Sequence, residues 1–155
     1  MAREKQVMDA IEPATAADIP QLADLLALLF TQEADFQPDR EKQTRGLRLI
    51  VEAPERGRIF VARSGDTIVG MVSLLFTIST AEGAAACWLE DMVVRPERRC
   101  SGVGSRLLEH AVHHAKANGF ARITLLTDRT NEQAARFYLR HGFRPSEMAP
   151  LRLQL

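Results

Sequence analysis

The chain has 155 residues, enough for about one domain with a real core, and its 46% hydrophobic and 26% charged content is that of an ordinary globular protein. Lysines and arginines number 20, as do aspartates and glutamates, so the formal net charge is zero and bulk charge argues for neither nucleic acid nor a membrane surface as partner. No run approaches the ~18 apolar residues of a membrane span, residues 1–6 lack the apolar stretch of a secretory signal, and Cys87 and Cys100 make no disulfide framework; the expectation is one reduced, cytoplasmic domain over residues 1–155.

Along the chain, residues 7–14 read as a first strand closed by Pro13. Thr15 or Asp18 caps a helix with Pro20 near its first turn and Leu22, Leu25, Leu26 and Leu29 on one face. Residues 33–39 form an acidic connection, and residues 40–52 a second helix with Leu47, Ile50 and Val51 as its apolar edge. Residues 59–63 and 67–79 are strands joined by Ser64-Gly65-Asp66, a turn rich in hairpin residues. Residues 85–94 are a fourth strand stopped by Pro96, and residues 105–117 a helix ended by Asn118-Gly119. Residues 122–127 are a fifth strand. Asn131 caps a helix running to Arg140, and Gly142 ends it. Residues 143–147 and 151–155 read as two last short strands. The order β-α-α-β-β-β-α-β-α-β-β predicts a mixed sheet with helices on its faces, an α/β or α+β fold.

The most informative stretch is residues 88–104, where a strand bearing Glu90 and Asp91 runs into a basic loop containing Gly102 and Gly104 and then a helix. Small residues at a helix start bring backbone N–H groups close to a phosphate, and the helix dipole favours the anion. The alternative is a basic surface loop. Two known phosphate loops fail here: no lysine stands where the Walker pattern needs one, and Leu107 occupies the third glycine of the dinucleotide fingerprint.

Val94-x-Pro96-x-x-Arg99-x-x-Gly102-x-Gly104 resembles the acetyl-CoA loop of the GNAT acyltransferases, Arg/Gln-x-x-Gly-x-Gly/Ala between a strand and a helix. Asn131-Glu-Gln-Ala-Ala-Arg-Phe137-Tyr138-Leu-Arg-His-Gly142-Phe143 is similar to that family's Asn-x-x-Ala-x-x-Phe-Tyr-x-x-x-Gly-Phe. The segment from Ile11 to Pro20 resembles a common opening of the family, so the likeness spans essentially the whole chain. It implies a GNAT-type fold, a central, mostly antiparallel mixed sheet of about seven strands flanked by four helices. It also implies acetyl-CoA as cosubstrate and no metal. Met92, Val93 and Val94 would run along the pantetheine arm, and Arg99, Cys100, Ser101, Gly102, Val103, Gly104 and Ser105 would meet the pyrophosphate. Asn131 would touch the cofactor as well as cap its helix. Many relatives carry glycine where this chain has Cys100; a passive small residue is the simpler reading of that thiol, a reactive one the alternative.

Acetyl transfer from a thioester to an amine needs a neutral amine, donors for the oxyanion and a proton for the departing thiolate. The resemblance assigns that last proton to Tyr138, the only tyrosine; otherwise it is a core tyrosine. Strand alternation puts Trp88, Glu90 and Met92 on one side and Leu89, Asp91 and Val93 on the other. A carboxylate on an apolar strand is costly unless paired or useful, and desolvation pushes such a group up toward neutrality. Leu-Glu-Asp resembles polyamine-type and related amine acetyltransferases, which makes Glu90 the expected base and Asp91 a structural residue. Either carboxyl is otherwise structural. Glu33, Asp35 and Asp39 border the acceptor site in relatives, and an acidic rim would favour small cationic amines. Protein N-termini or lysines, or a non-catalytic acyl-CoA-binding module, are the competing readings. A homodimer is expected from the family alone. His110, His113 and His114 lack the partners of a zinc motif and read as a solvated helix face.

Overall fold

The computed structural model describes residues 8–33 and 35–155. Strand β1 (Ala10–Pro13) leads through a short 3-10 turn (Ala16–Asp18) into α1 (Ile19–Gln32) and α2 (Arg40–Val51). Then come β2 (Gly57–Ser64), β3 (Thr67–Ser79), β4 (Ala84–Val94), α3 (Val103–Ala117), β5 (Ile123–Leu125) and α4 (Glu132–Arg140). The sheet order is β1-β2-β3-β4-β5, antiparallel except for the parallel β4–β5 pair.

Alternation along the strands sends two sets of side chains to opposite faces. Ile59, Val61, Ile68 and Met71 pack with Leu22, Leu25, Leu26 and Leu47 under α1 and α2. Phe60, Ala62, Val72 and Leu74 pack with Val103, Leu107, Leu108 and Ala111 under α3, where Phe137 and Tyr138 of α4 join them. The sheet is thus covered on both faces, and the mixed α/β class and four helices match the reading of the sequence.

Local chemistry sets the element ends. Ser64 pairs with Thr67 across the two-residue turn Gly65-Asp66, and Gly65 takes a φ of +59°, which the turn requires. Thr15 donates its N–H to Asp18 Oδ2 at 2.8 Å, closing the chain ahead of α1, and Pro20 sits in the first turn where no N–H is missed. Asp39 accepts from Lys42 N at 3.1 Å and Asn131 from Ala134 N at 3.1 Å, each capping its helix.

Among the described residues the sheet has five strands where about seven were expected. Residues 143–147 and 151–155 form no strands, and Leu151, Leu153 and Leu155 are fully or nearly fully exposed. Their alternation suits a strand, but none of them pairs with the sheet, and Pro145 and Pro150 interrupt the segment's donors. The start of β1 is also shorter: it begins at Ala10, and Val7 lies outside the described residues. His110 and His114 do not form a solvated face. They pack edge-on against Phe60, at 4.7 and 5.1 Å between ring centroids, and only His113 is exposed.

Candidate active site

The centre of interest is an irregularity in β4. Met71 pairs with Val93 and Ser73 with Glu90, so two residue steps on β3 face three on β4. The extra residue makes a β-bulge, and Asp91 takes a φ of +52° within it. Side-chain direction flips across the bulge: Leu89 packs under α3, whereas Val93 packs under α1 and α2. Strict alternation would put both on one face. Asp91 is therefore not opposite Glu90 as the strand pattern predicts. Both line the same acidic cavity and the groove between α1 and α2.

Pairing between β4 and β5 covers only Cys87 to Leu89 and Ile123 to Leu125. Beyond it two cavities open between β4, the end of α1 and α4, the first of them reaching the end of β5 as well. The first, about 440 Å³, is lined by Glu33, Asp35, Glu90, Asp91 and Asp128, with Arg129 and Arg152 as its cations. The second, about 370 Å³, runs along Met92, Val93 and Val94 to Arg98, Arg99, Cys100, Gly102, Gly104 and Ser105. Met92, Asn131, Ala134 and Tyr138 line both, so these residues mark where the cavities meet.

The basic cavity ends on the start of α3. The first bond of that helix runs from Arg106 N to Gly102 O, which leaves the N–H groups of Val103, Gly104 and Ser105 without helical acceptors. Gly102 has a φ of +85°, and a Cβ there would meet nothing within 4 Å, so the loop is open in front of those donors. Cys100 takes a φ of +59°, the left-handed region where glycine is at ease and a cysteine is strained. Arg99 Nε donates to Val94 O at 3.2 Å, and Ser101 Oγ donates to Arg98 O, closing the loop on itself. Arg98 is tied to the buried Asp9 carboxylate at 2.6 Å. Val103 differs from the other expected loop residues: its side chain is buried in the core, and only its backbone serves the helix start. Ser101 likewise does not line the cavity.

Electrostatics separate the carboxyls. Burial, then the charges of Glu90 and Glu33, push Asp91 up to about 7. Glu33 is also raised, by burial and by Asp128, Glu90 and Asp35. Glu90 is exposed, not buried as its strand setting predicts. Burial, with a contribution from Glu33, holds the Tyr138 hydroxyl up at about 12, so it keeps its proton across the neutral range. The residues that sequence reasoning passed over are Asp91 as a cavity carboxyl, Phe137, and Leu29 and Gln32 from the end of α1; of Arg136, Arg140 and Arg144, which the sequence offers either to the nucleotide or to a solvated face, only Arg140 lines the basic cavity. No group of three or more metal-binding side chains occurs among the described residues. No described helix is long and apolar enough to cross a membrane.

Comparison with known proteins bears on this arrangement. The model of the acetyltransferase (GNAT) family matches residues 19–143. An aminoalkylphosphonate N-acetyltransferase from Salmonella typhimurium is 30% identical over 148 residues, covering 94% of this chain and 93% of that protein. Streptothricin acetyltransferase A from Bacillus subtilis is 40% identical over 55 residues, 36% of this chain and 32% of that protein. A possible acetyltransferase from Clostridium difficile shares the fold with a TM-score of 0.86 at 15% identity, over 96% of this chain and 98% of that one. An integron cassette protein from the mobile metagenome of Cole Harbour Salt Marsh superposes with a TM-score of 0.81 at 26% identity, over 94% and 90%.

Proposed function

Because the chain belongs to the GNAT acetyltransferase family and is therefore an acetyl-transferring enzyme, we propose that it moves the acetyl group of acetyl-CoA directly onto a small primary amine. The observation that carries this reading is Tyr138, which lines both the basic cavity and the acidic one. The basic cavity fits a phosphorylated cosubstrate: it combines the free N–H groups at the start of α3, the open loop at Gly102, and the guanidinium groups of Arg99 and Arg140. Arg99 to Ser105 would hold the pyrophosphate. Met92 to Val94, past the end of β5, would lie along the pantetheine. When bound, acetyl-CoA supplies the thioester carbonyl that the amine attacks.

The acidic cavity receives the amine as a cation. It must then lose a proton before its lone pair can form the N–C bond. Asp91 accepts that proton, and its position near neutrality suits the task. Glu90, the base expected from the family, acts on the rim: its charge raises Asp91 and draws the cation in. As the C–S bond breaks, Tyr138 Oη gives its proton to sulfur, and the second proton shed by the acylated nitrogen restores the phenol. The aminoalkylphosphonate relative supports an amine acceptor. Its phosphonate is not carried over, because five carboxylates line the cavity against two arginines, and Arg152 is already paired with Asp35 at 2.8 Å.

The test is coenzyme A release with acetyl-CoA and a panel of small amines. Turnover is expected, and Tyr138→Phe is expected to lose about ten- to a thousandfold in kcat. Tight acetyl-CoA binding with no turnover on any amine overturns the acceptor reading, and unchanged kcat in Tyr138→Phe removes the tyrosine from the reaction.

A further inference from the structure

Residue 9 is a buried acid ahead of the first strand, and the chemistry so far leaves it unused. The Asp9 side chain is 2% exposed, and its Oδ2 accepts from Arg98 Nη2 at 2.6 Å. Its backbone carbonyl accepts from Arg106 Nη2. Arg98 closes the 3-10 turn Pro96–Arg98, and Arg106 supplies the first hydrogen-bonded N–H of α3. The two arginines therefore flank residues 99–105, the segment assigned to the pyrophosphate. One residue at the entry to the sheet holds both ends of that segment.

Two observations tie this contact to the loop rather than to stability. First, the second oxygen of Asp9, Oδ1, is buried with no hydrogen-bond partner among the described residues. A buried ion pair left half satisfied contributes little net stability, and an apolar residue would pack there at no greater cost. Second, Arg98 lines the basic cavity, yet its Nη2 is engaged by Asp9. The Arg98 carbonyl accepts from Ser101 Oγ, and its N–H donates to Arg95 O at 2.9 Å, so the fixed side chain holds the loop backbone with it. Arg95 is anchored in turn to β3, through its N–H on Val69 O and its Nε on Ile68 O, each at 2.8 Å. Phosphate binding by backbone N–H groups depends on their direction, and a loop fixed before the ligand arrives binds without an ordering cost.

We propose that Asp9 is a positioning residue for the cosubstrate: it clamps Arg98 and Arg106 so that the N–H groups of residues 103–105 stay turned toward the pyrophosphate. Arg98 is then the anchor of the loop, and Arg99 and Arg140 are the cations that meet the phosphates. The inference rests on the acetyl-CoA reading of the loop and adds to it a residue that lines neither cavity.

Calorimetry with coenzyme A and with pantetheine, which lacks the pyrophosphate and the nucleotide, reads the clamp without turnover. Asp9→Ala is expected to weaken coenzyme A binding about tenfold, the low end of what one charge-assisted hydrogen bond is worth. Asp9→Asn keeps the shape and an oxygen that accepts from Arg98, so it is expected to lose only about threefold, and it carries the test should the alanine variant not fold. Pantetheine binding is expected to be unchanged in both, whereas damage to the fold as a whole would weaken the two ligands alike. The double variant, Asp9→Ala with Arg98→Ala, is expected to bind coenzyme A as Asp9→Ala does, because Arg98 acts through the same bond. Unchanged or tighter coenzyme A binding in Asp9→Asn, or an equal loss for pantetheine, overturns the inference. So does a further loss of about tenfold in the double variant, which would make Arg98 a direct ligand of the phosphates. Failure of the parent to bind coenzyme A rejects the acetyl-CoA reading and the clamp together; binding in the parent that is indifferent to residue 9 rejects the clamp alone.

Discussion

Asp91 combines a backbone irregularity with a shifted proton affinity. Left-handed φ is tolerated best, after glycine, by short polar side chains such as aspartate. In its proposed role as proton acceptor, Asp91 would set the acid limb of kcat/KM at about 7. Asp91→Asn should abolish that limb and most of the rate, whereas Glu90→Gln should keep the rate within about tenfold and move the limb to lower pH. A limb unmoved in Glu90→Gln and retained in Asp91→Asn would reject the assignment. The same shift has a stability consequence of definite sign. A carboxyl raised in the folded state contributes stability below its unfolded value, lost as pH rises through about 7. Asp91→Asn should therefore be more stable than the parent above neutrality, with the advantage gone in mild acid, as urea unfolding at two pH values would show. Tyr138, Asn131 and the glycine loop were legible in the sequence because their spacing is a motif. Asp91 was not, because a period of two cannot register one inserted residue.

Most elements were legible because their signals are local. The turn Gly65-Asp66, the cap Asn131 and the full extent of β3 follow from neighbouring residues. The start of α1 depends on a distant partner. Arg63 on β2 pairs with Glu12 and, at 2.9 Å, with Asp18, a buried acid that also closes the turn through Thr15. Although burial opposes it, the Thr15 N–H and the Arg63 guanidinium hold Asp18 below its ordinary value of 3.8. The resulting stability is present above that value and lost as pH falls through the lower folded one. Asp18→Ala should cost about 1–3 kcal/mol at pH 7, and the gap to the parent should close in strong acid. A constant gap across that range in urea titrations would reject the ion pair as its source. The C-terminal strands were misread for the opposite reason: Leu151, Leu153 and Leu155 show a strand pattern but gain no pairing edge.

At the scale of the molecule, one sheet separates two helical layers. The loop and the start of α3 line the basic cavity, Glu33, Asp35 and Phe36 line the acidic one, and the ends of α1 and α4 line both. The last twelve residues, 144–155, are exposed throughout and add nothing to either core. Removing residues 146–155 should leave the thermal midpoint within about 2 °C, since exposed segments contribute roughly ±0.5 kcal/mol. A drop of roughly 5 °C or more would mean that the segment packs against the fold. The bulge in β4 has a consequence for how chains of this kind are aligned. Deleting one residue between Glu90 and Val93 would restore unbroken pairing with β3, and local geometry would improve. Yet every later side chain would then exchange faces, sending Val93 toward α3 and Val94 toward α1. A single gap at that point reverses the strand's inside and outside, so two sequences that differ by it can look nearly identical and still present inverted surfaces to their ligands.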